Sequence, residues 1–361
     1  MITVPHDFYA TRIAAVAGAR ELAMSPSGDL YVGTRGGDVY VIRRAENTAP
    51  GPPAVYVHFD DAPAAGVAFG NGTLYVGTQH AVWAVRNGRA QKLAAVRTGN
   101  PPPGSDGDVH ATTSIALDGN TIYASVGSSC NACVETDPTR ATVGRIDAGR
   151  YVPIARRIRN AIALAVDPLT HALWASDAGQ DELPAGHPYE FLDDVAAHRL
   201  PVDYGWPFCY ENRRHKPGTN DSCSHVVVPQ AIFPAYETPI GAAFYPSNMR
   251  ARYAFPQAYA GGAFVTLHGS WHGPAQGLPG YEPPRVVFMP MRDGRPLHAA
   301  NWNDPTAQWS EFAGGYQQGG TIVRSGRPTG IAVGPLGDLF IADDFSGALY
   351  RIRPKASPAS R

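Results

Sequence analysis

The chain alternates short apolar runs with clusters of Gly, Asp, Asn and Pro. "RELAMSPSGDLYVGTRGGDVYVIRR" starts at Arg20, "AGVAFGNGTLYVGTQHAVWAVRNG" at Ala65, "TTSIALDGNTIYASVGS" at Thr112 and "NAIALAVDPLTHALWASDAG" at Asn160. "GRPTGIAVGPLGDLFIADDFSGALYRIRP" starts at Gly326, and a weaker copy, "PIGAAFYP" followed by "YAGGAFVTLHGS", spans Pro239 to Ser270. Each copy holds a short strand, a polar turn and a second strand, and several add a third such as "VYVIRR". No long helical period competes.

The first four copies start about 45 to 48 residues apart, the length of one four-stranded propeller blade. Six copies predict an all-β, six-bladed propeller with long inserted loops in the last blades, notably 184–236 and 272–325. The expected organisation is one domain over 1–354, with a disordered tail over 355–361. In such a ring the innermost strands line a central channel, and loops at one end form the usual ligand site. Residues at matching places in different copies then converge.

Composition narrows the classes. Net charge is −1 and charged residues are 17% of the chain, which gives no bias toward nucleic acid or an anionic membrane. No run approaches the roughly 18 apolar residues of a membrane helix. Gly (39) and Pro (33) make about a fifth of the chain, scattered as turns are. The first twenty residues lack the basic-then-apolar order of a signal peptide, so the protein is either cytosolic or has lost a leader. Four cysteines form two close pairs, Cys130 with Cys133 and Cys209 with Cys223. An even count in loop-like sequence favours disulfides and a periplasmic or secreted setting over a cytosolic enzyme with reduced thiols. The second pair lacks zinc-knuckle spacing.

Candidate chemistry gathers where strands begin or end. His110 precedes the first strand of the third copy, with Asp106 or Asp108 placed to orient it as a proton acceptor. A solvated loop histidine is the competing reading. Arg159 and Asn160 occupy the same place in the fourth copy and Arg327 in the sixth; two guanidinium groups at one mouth suit an anionic ligand. Arg20 has the matching place in the first copy, so the feature is partly structural. Oxygens in "SDAGQDEL" (Asp177, Asp181, Glu182 and the Gly179–Gln180 carbonyls) suit a hard cation such as calcium, or form only an acidic solvated loop. In "FVTLHGSWHG", His268 follows the strand "AFVTL" as Asp177 follows "LWAS" and Asp343 follows "LFIA", so it approaches the mouth; Trp271 is a candidate wall for a flat ligand, and His272 is an exposed loop residue. Dinucleotide, Walker, GxSxG and HExxH motifs are missing from the sequence.

"RNAIALAVDP…LWASDAGQDEL", "YGWPFCY", "LHGSW" and "GRPTGIAVGPLGDLFIADDFSGALYRI" together resemble the soluble glucose/sorbosone dehydrogenase family, with the closest look to its sorbosone dehydrogenase-like branch. The resemblance runs from about Arg20 to Pro354. It implies a six-bladed propeller that binds pyrroloquinoline quinone (PQQ) and Ca²⁺, oxidises an aldose or sugar aldehyde, and passes electrons to an external quinone or cytochrome. Carried onto this chain, it makes His110 the general base. Arg159, Asn160, His268, Trp271, Arg324 and Arg327 become cofactor contacts, and Gly179 and Gln180 calcium ligands through their carbonyls. The chain departs from the glucose-oxidising members at His268, where they have lysine, and at Ser325, where Arg324 is the nearest substitute. Two competing functions are a non-catalytic carbohydrate- or protein-binding propeller and a metal-dependent propeller lactonase, for which Asp177 and Asp343 are candidate ligands.

Overall fold

The computed structural model describes residues 2–105, 107–181, 183–270, 282–319, 321 and 323–355. The repeats form six antiparallel sheets. Blade 1 is Ala19–Met24, Leu30–Thr34, Asp38–Ile42 and Pro53–His58. Blade 2 is Gly66–Gly70, Thr73–Gly77, Ala81–Arg86 and Arg89–Ala95. Two of its turns are Asn71-Gly72 and Asn87-Gly88, with φ of 51° and 69°, then 51° and 72°, the dipeptide that two-residue hairpins demand. Blade 3 is Ile115–Asp118, Thr121–Val126, Thr142–Asp147 and Arg150–Arg156. Blade 4 is Leu164–Val166, Leu173–Asp177, Glu190–Asp194 and Ala231–Phe233. Blade 5 is Pro239–Phe244, Ala263–Leu267, Arg285–Met289 and Ser310–Ala313.

Blade 6 is Pro328–Val333, Leu339–Asp343 and Ala348–Pro354, completed by the N-terminal strand Phe8–Ala15, which pairs antiparallel with Ala348–Pro354. Chain start and chain end thus share one sheet, which ties the ring shut.

The two long spacings are not simple insertions. Each carries the third and fourth strands of its blade, Glu190–Asp194 with Ala231–Phe233, and Arg285–Met289 with Ser310–Ala313. The extra chain in blade 4 adds Val202–Asp203 in parallel to the outer strand of blade 3, and the small hairpin Cys209–Tyr210/Arg214–His215. Residues 356–361 lie outside the described residues, and most of the expected tail with them. Among the described residues there is no α-helix, and no helix is long and apolar enough to cross a membrane.

Six hydrophobic clusters fill the six spaces between neighbouring blades. The second strands Leu30–Thr34, Leu173–Asp177, Ala263–Leu267 and Leu339–Asp343 are buried along their whole length, because both faces meet a neighbouring blade. The largest aromatic group lies between blades 5 and 6, where Phe8, Phe255, Tyr259, Phe264, Phe288 and Phe312 pack around Tyr245 and Tyr316.

The six innermost strands ring a channel of about 60 Å³ lined by Leu22, Val67, Ile115, Leu164, Ile240 and Ile331. Glu21 is buried in it. Its Oε2 accepts from Val67 N (3.1 Å) and Ile115 N (3.3 Å), joining blades 1, 2 and 3. Burial pushes this carboxyl from its usual 4.5 up to about 8. A raised carboxyl holds a proton in the folded state that the unfolded chain has released. Its contribution is therefore complete below pH 4.5 and is lost as pH rises through about 8. Glu21→Gln keeps an oxygen for the two N–H groups and has no proton to lose. Melting temperature followed between these two pH values should fall less in Glu21→Gln than in wild type.

Candidate functional site

The blade pairings set which end of the ring is chemically equipped. Ala19 faces Thr34, Gly66 faces Gly77, Pro239 faces Leu267 and Pro328 faces Asp343, so the starts of the first strands and the ends of the second strands share one end. His110, Arg159, Asn160, Gly179, Gln180, His268, Arg324 and Arg327 all belong to segments at that end. Trp271 and His272, like Asp106 and Glu182, lie outside the described residues.

His110 is held by blade 3. Its Nδ1 lies 2.9 Å from Ser128 Oγ and 3.1 Å from Ser128 O. Ser128 Oγ donates its one proton to Cys130 O at 2.7 Å. Nδ1 is therefore the donor toward Ser128, and Nε2 carries the free lone pair. Burial, and then the Arg159 guanidinium, push His110 down to about 3, so the ring is neutral at physiological pH. Asp108 does not orient it; that carboxylate ion-pairs with buried Arg140.

Gly127 makes room for the arrangement. A Cβ there would lie 2.5 Å from His110 Cβ, 2.7 Å from His110 O and 2.8 Å from Asn160 Oδ1. Gly127→Ala is expected to cost about 1–3 kcal/mol of stability by overpacking. It should also displace His110, seen as a shift of the His110 ring resonances in NMR.

Arg159 is buried and its guanidinium is fixed on several sides. Nε donates to Asn131 O (3.0 Å), Nη1 to Ala178 O (2.9 Å) and Nη2 to Asn131 Oδ1 (2.9 Å), with Asp181 Oδ2 at 3.7 Å. His110, Arg159, Asn160, Gly179, Gln180, Asp181, Glu190 and Thr238 line one cavity of about 160 Å³. That is smaller than the roughly 300 Å³ of common ligand pockets. An adjoining recess shares Gly179, Gln180 and Pro188 with it. Gln180 is buried and its Oε1 has no partner, an orphaned acceptor of the kind a hard cation takes. Gly179 is held by its N–H, which donates to Glu190 Oε2 at 2.6 Å. Burial pushes Glu190 up to about 8 and Asp177 up to about 7.

His268 and Arg327 do not line this cavity. They form a second group at the same end, joined to the first through Thr238, whose carbonyl accepts from His268 N at 3.0 Å. Arg327 donates from Nε to His268 O (2.9 Å) and from Nη2 to Gly269 O (2.8 Å). Asp344 Oδ2 lies 3.4 Å from both Arg20 Nη1 and Arg35 Nε, and its Oδ1 3.7 Å from His268 Nε2. Arg324 reaches Ser270 O and bonds Gln317 Oε1 at 2.9 Å. Burial pushes Arg327 down to about 10, with Arg324 the next cause. It also drives His268 well below its usual 6.5, so this ring is uncharged. Its Nδ1 meets the acceptor Pro328 O at 3.0 Å and must donate. His268 is thus a hydrogen-bonding group, not a cation.

Two sequence expectations are corrected. His268 follows a strand that ends at Leu267, whereas Asp177 and Asp343 are themselves strand ends. His268 therefore matches Ala178 and Asp344, not the two aspartates. Nor do Asp177 and Asp343 offer a metal site. Asp177 Oδ1 accepts from Asn160 N (2.7 Å) and Asp343 Oδ1 from Arg327 N (2.9 Å); Asp343 also holds the backbone of Phe345 and Ser346. Both cap the backbone beneath an arginine-bearing loop. The lactonase reading loses its nominated ligands.

Sequence reasoning missed Ser128, Asn131, Arg35 and Asp344. Arg35 and Asp344 were within reach, because each follows the second strand of its copy as His268 does. Ser128 was too, as the last residue of the third copy, two past its second strand; only Asn131 depends on how the Cys130–Cys133 loop folds back, which no repeat position encodes.

The cysteines form two disulfides, Cys130–Cys133 and Cys209–Cys223. The class defined so far is a six-bladed propeller with a buried histidine and a ring of guanidinium groups at one mouth. A family model described as TrAA12-like matches residues 197–355, under half of the chain. An uncharacterized protein of Borreliella burgdorferi is 21% identical over 305 residues, covering 80% of this chain and 74% of that protein. Among solved structures, the calcium structure of the Trichoderma reesei carbohydrate-active enzyme of family AA12 superposes with a TM-score of 0.79 at 16% identity, covering 98% of this chain and 97% of that one. The holo PQQ domain of pyranose dehydrogenase from Coprinopsis cinerea gives the same TM-score at 15% identity, with 98% and 97% covered. At these identities the likeness is one of fold.

Proposed function

We propose that this chain is a quinoprotein oxidoreductase that oxidises an aldose or sugar aldehyde, with His110 as general base. One observation carries the reading: a neutral histidine with Nδ1 committed to Ser128 lines the same cavity as Arg159, Asn160 and Gln180. The holo pyranose dehydrogenase domain of the same fold supports the choice of cofactor.

The residues present fit PQQ and calcium in chemistry. Arg159, Arg324 and Arg327 suit the carboxylates of the cofactor, since guanidinium groups bind carboxylates through paired N–H donors. Asn160 contributes amide donors, and His268 Nε2 a hydrogen-bond acceptor. Gln180, with its orphaned Oε1, and the Gly179 carbonyl would hold Ca²⁺. When bound, the quinone supplies the two-electron acceptor to which hydride passes. The chain's part is to hold the substrate hydroxyl against His110 Nε2, take its proton there, and keep Nδ1–H tied to Ser128. Burial, and then positive charge at Arg159, keeps His110 neutral beforehand, and an anion placed beside Arg159 would ease acceptance of the proton.

The disulfides support a periplasmic or secreted setting. A sorbosone dehydrogenase-like specificity and an external quinone or cytochrome as electron acceptor complete the proposal. Purified protein incubated with PQQ and calcium should reduce a redox dye with one or more aldoses or sugar aldehydes. Saturable sugar binding with no cofactor-dependent dye reduction would instead indicate a non-catalytic binding propeller.

A further inference from the structure

The loop between Cys130 and Cys133 lies outside the repeat pattern, yet its hydrogen bonds run straight to the site. Asn131 makes five. Its Oδ1 accepts from Arg159 Nη2 (2.9 Å) and from Asp181 N (2.8 Å). Its carbonyl accepts from Arg159 Nε (3.0 Å) and from Trp206 Nε1 (3.1 Å). Its Nδ2 donates to Asp181 O at 3.3 Å. One residue therefore grips the guanidinium of blade 4, the Gly179–Asp181 loop and an indole of the 202–227 excursion. The preceding residues act on the histidine: Cys130 O takes the Ser128 proton, which fixes the acceptor facing His110 Nδ1.

The disulfide keeps this geometry. It closes over two residues, Asn131 and Ala132, and Cys130 is buried. Ser129 anchors the start of the loop by donating from N and Oγ to the Glu135 carboxylate. With both ends fixed, the Asn131 carbonyl and side chain are held on the Arg159 side. An arginine side chain left free would sample many rotamers, and ordering it on binding would weaken affinity. Presetting it removes that penalty.

We propose that Asn131, clamped by the Cys130–Cys133 disulfide, is a positioning residue that presets the Arg159 guanidinium for an anionic ligand. This rests on the reading of Arg159 as a cofactor contact. The cystine acts by holding the loop in place.

The test uses two readouts on the full chain, with circular dichroism as the check on folding. The first needs no ligand: solvent exchange of the Arg159 Nη2–H resonance, whose partner is Asn131 Oδ1, in wild type, Asn131→Ala, Asn131→Asp and Cys130→Ser/Cys133→Ser. The second is PQQ affinity in the presence of calcium. Faster Arg159 exchange and a loss of about tenfold in affinity, the scale for groups that orient a ligating residue, are expected in Asn131→Ala and in the cysteine double variant. Asn131→Asp keeps the accepting oxygens and should restore most of both. Should a variant fail to fold, the same resonance is read in wild-type protein before and after dithiothreitol. Arg159 exchange unchanged across folded variants, or unchanged by reduction, would overturn the inference. If wild type takes up no cofactor, the proposed function fails while the exchange measurement still decides the role of Asn131.

Discussion

His110→Ala should lower turnover by about 10²–10⁴-fold, the usual worth of a positioned general base, while leaving cofactor affinity nearly unchanged. The expectation follows from geometry: Nδ1 is spent on Ser128, and His110 shares the cavity with Arg159 and Asn160. A second consequence follows from its electrostatics. Burial is the first cause that pushes the ring from 6.5 to about 3 and Arg159 the second; burial remains when an anion sits at Arg159, so the acid limb of kcat/KM should lie below the ordinary histidine range. The rate profile of wild type against pH, alongside steady-state kinetics of His110→Ala, checks both. Unchanged turnover in the variant would remove His110 from the chemistry and leave the cavity as a binding site.

Phe264→Ala should be the most destabilising single substitution in the group between blades 5 and 6, at about 3–5 kcal/mol. Phe264 is fully buried, and its ring meets Tyr245, Phe255, Tyr259, Phe288 and Phe312, with centroids 4.8 to 6.3 Å away. Phe255 and Phe312 in turn pack on Phe8, on the N-terminal strand that completes blade 6. The cavity left by truncation would therefore loosen the closure of the ring as well as one interface. Denaturant unfolding gives the magnitude. Hydrogen exchange should show Phe8–Ala15 losing protection before blades 2 and 3.

The repeat phrase made the architecture legible because each blade repeats the same burial problem, and the second strand, buried on both faces, solves it with the same apolar run. That is why "LYVGT", "LWASD" and "LFIAD" are alike. Strands without that constraint stayed hidden. Glu190–Asp194 and Ala231–Phe233 are interrupted by long polar excursions, and Phe8–Ala15 joins a sheet whose other strands lie over 300 residues away. At the site, residues at strand starts were legible, since repeat position fixes them: His110, Arg159 and Arg327. Asn131 was not, because a disulfide loop folds it onto the site. Asp108 and the Asp177–Asp343 pair show the opposite failure. Their residue type suited catalysis or metal binding, but Arg140 pairs with Asp108, and backbone N–H groups take one oxygen of each of the other two.

The central claim is that this propeller mouth binds a carboxylate-bearing quinone through its guanidinium groups. Calorimetric titration of PQQ into wild type and into Arg159→Ala and Arg327→Ala, each with calcium, tests it most directly. Saturable binding that requires calcium, weakened about 10–100-fold in each variant as expected for hydrogen bonds to charged groups, is the predicted result. Absence of saturable binding in wild type, or binding that neither arginine affects, would contradict it.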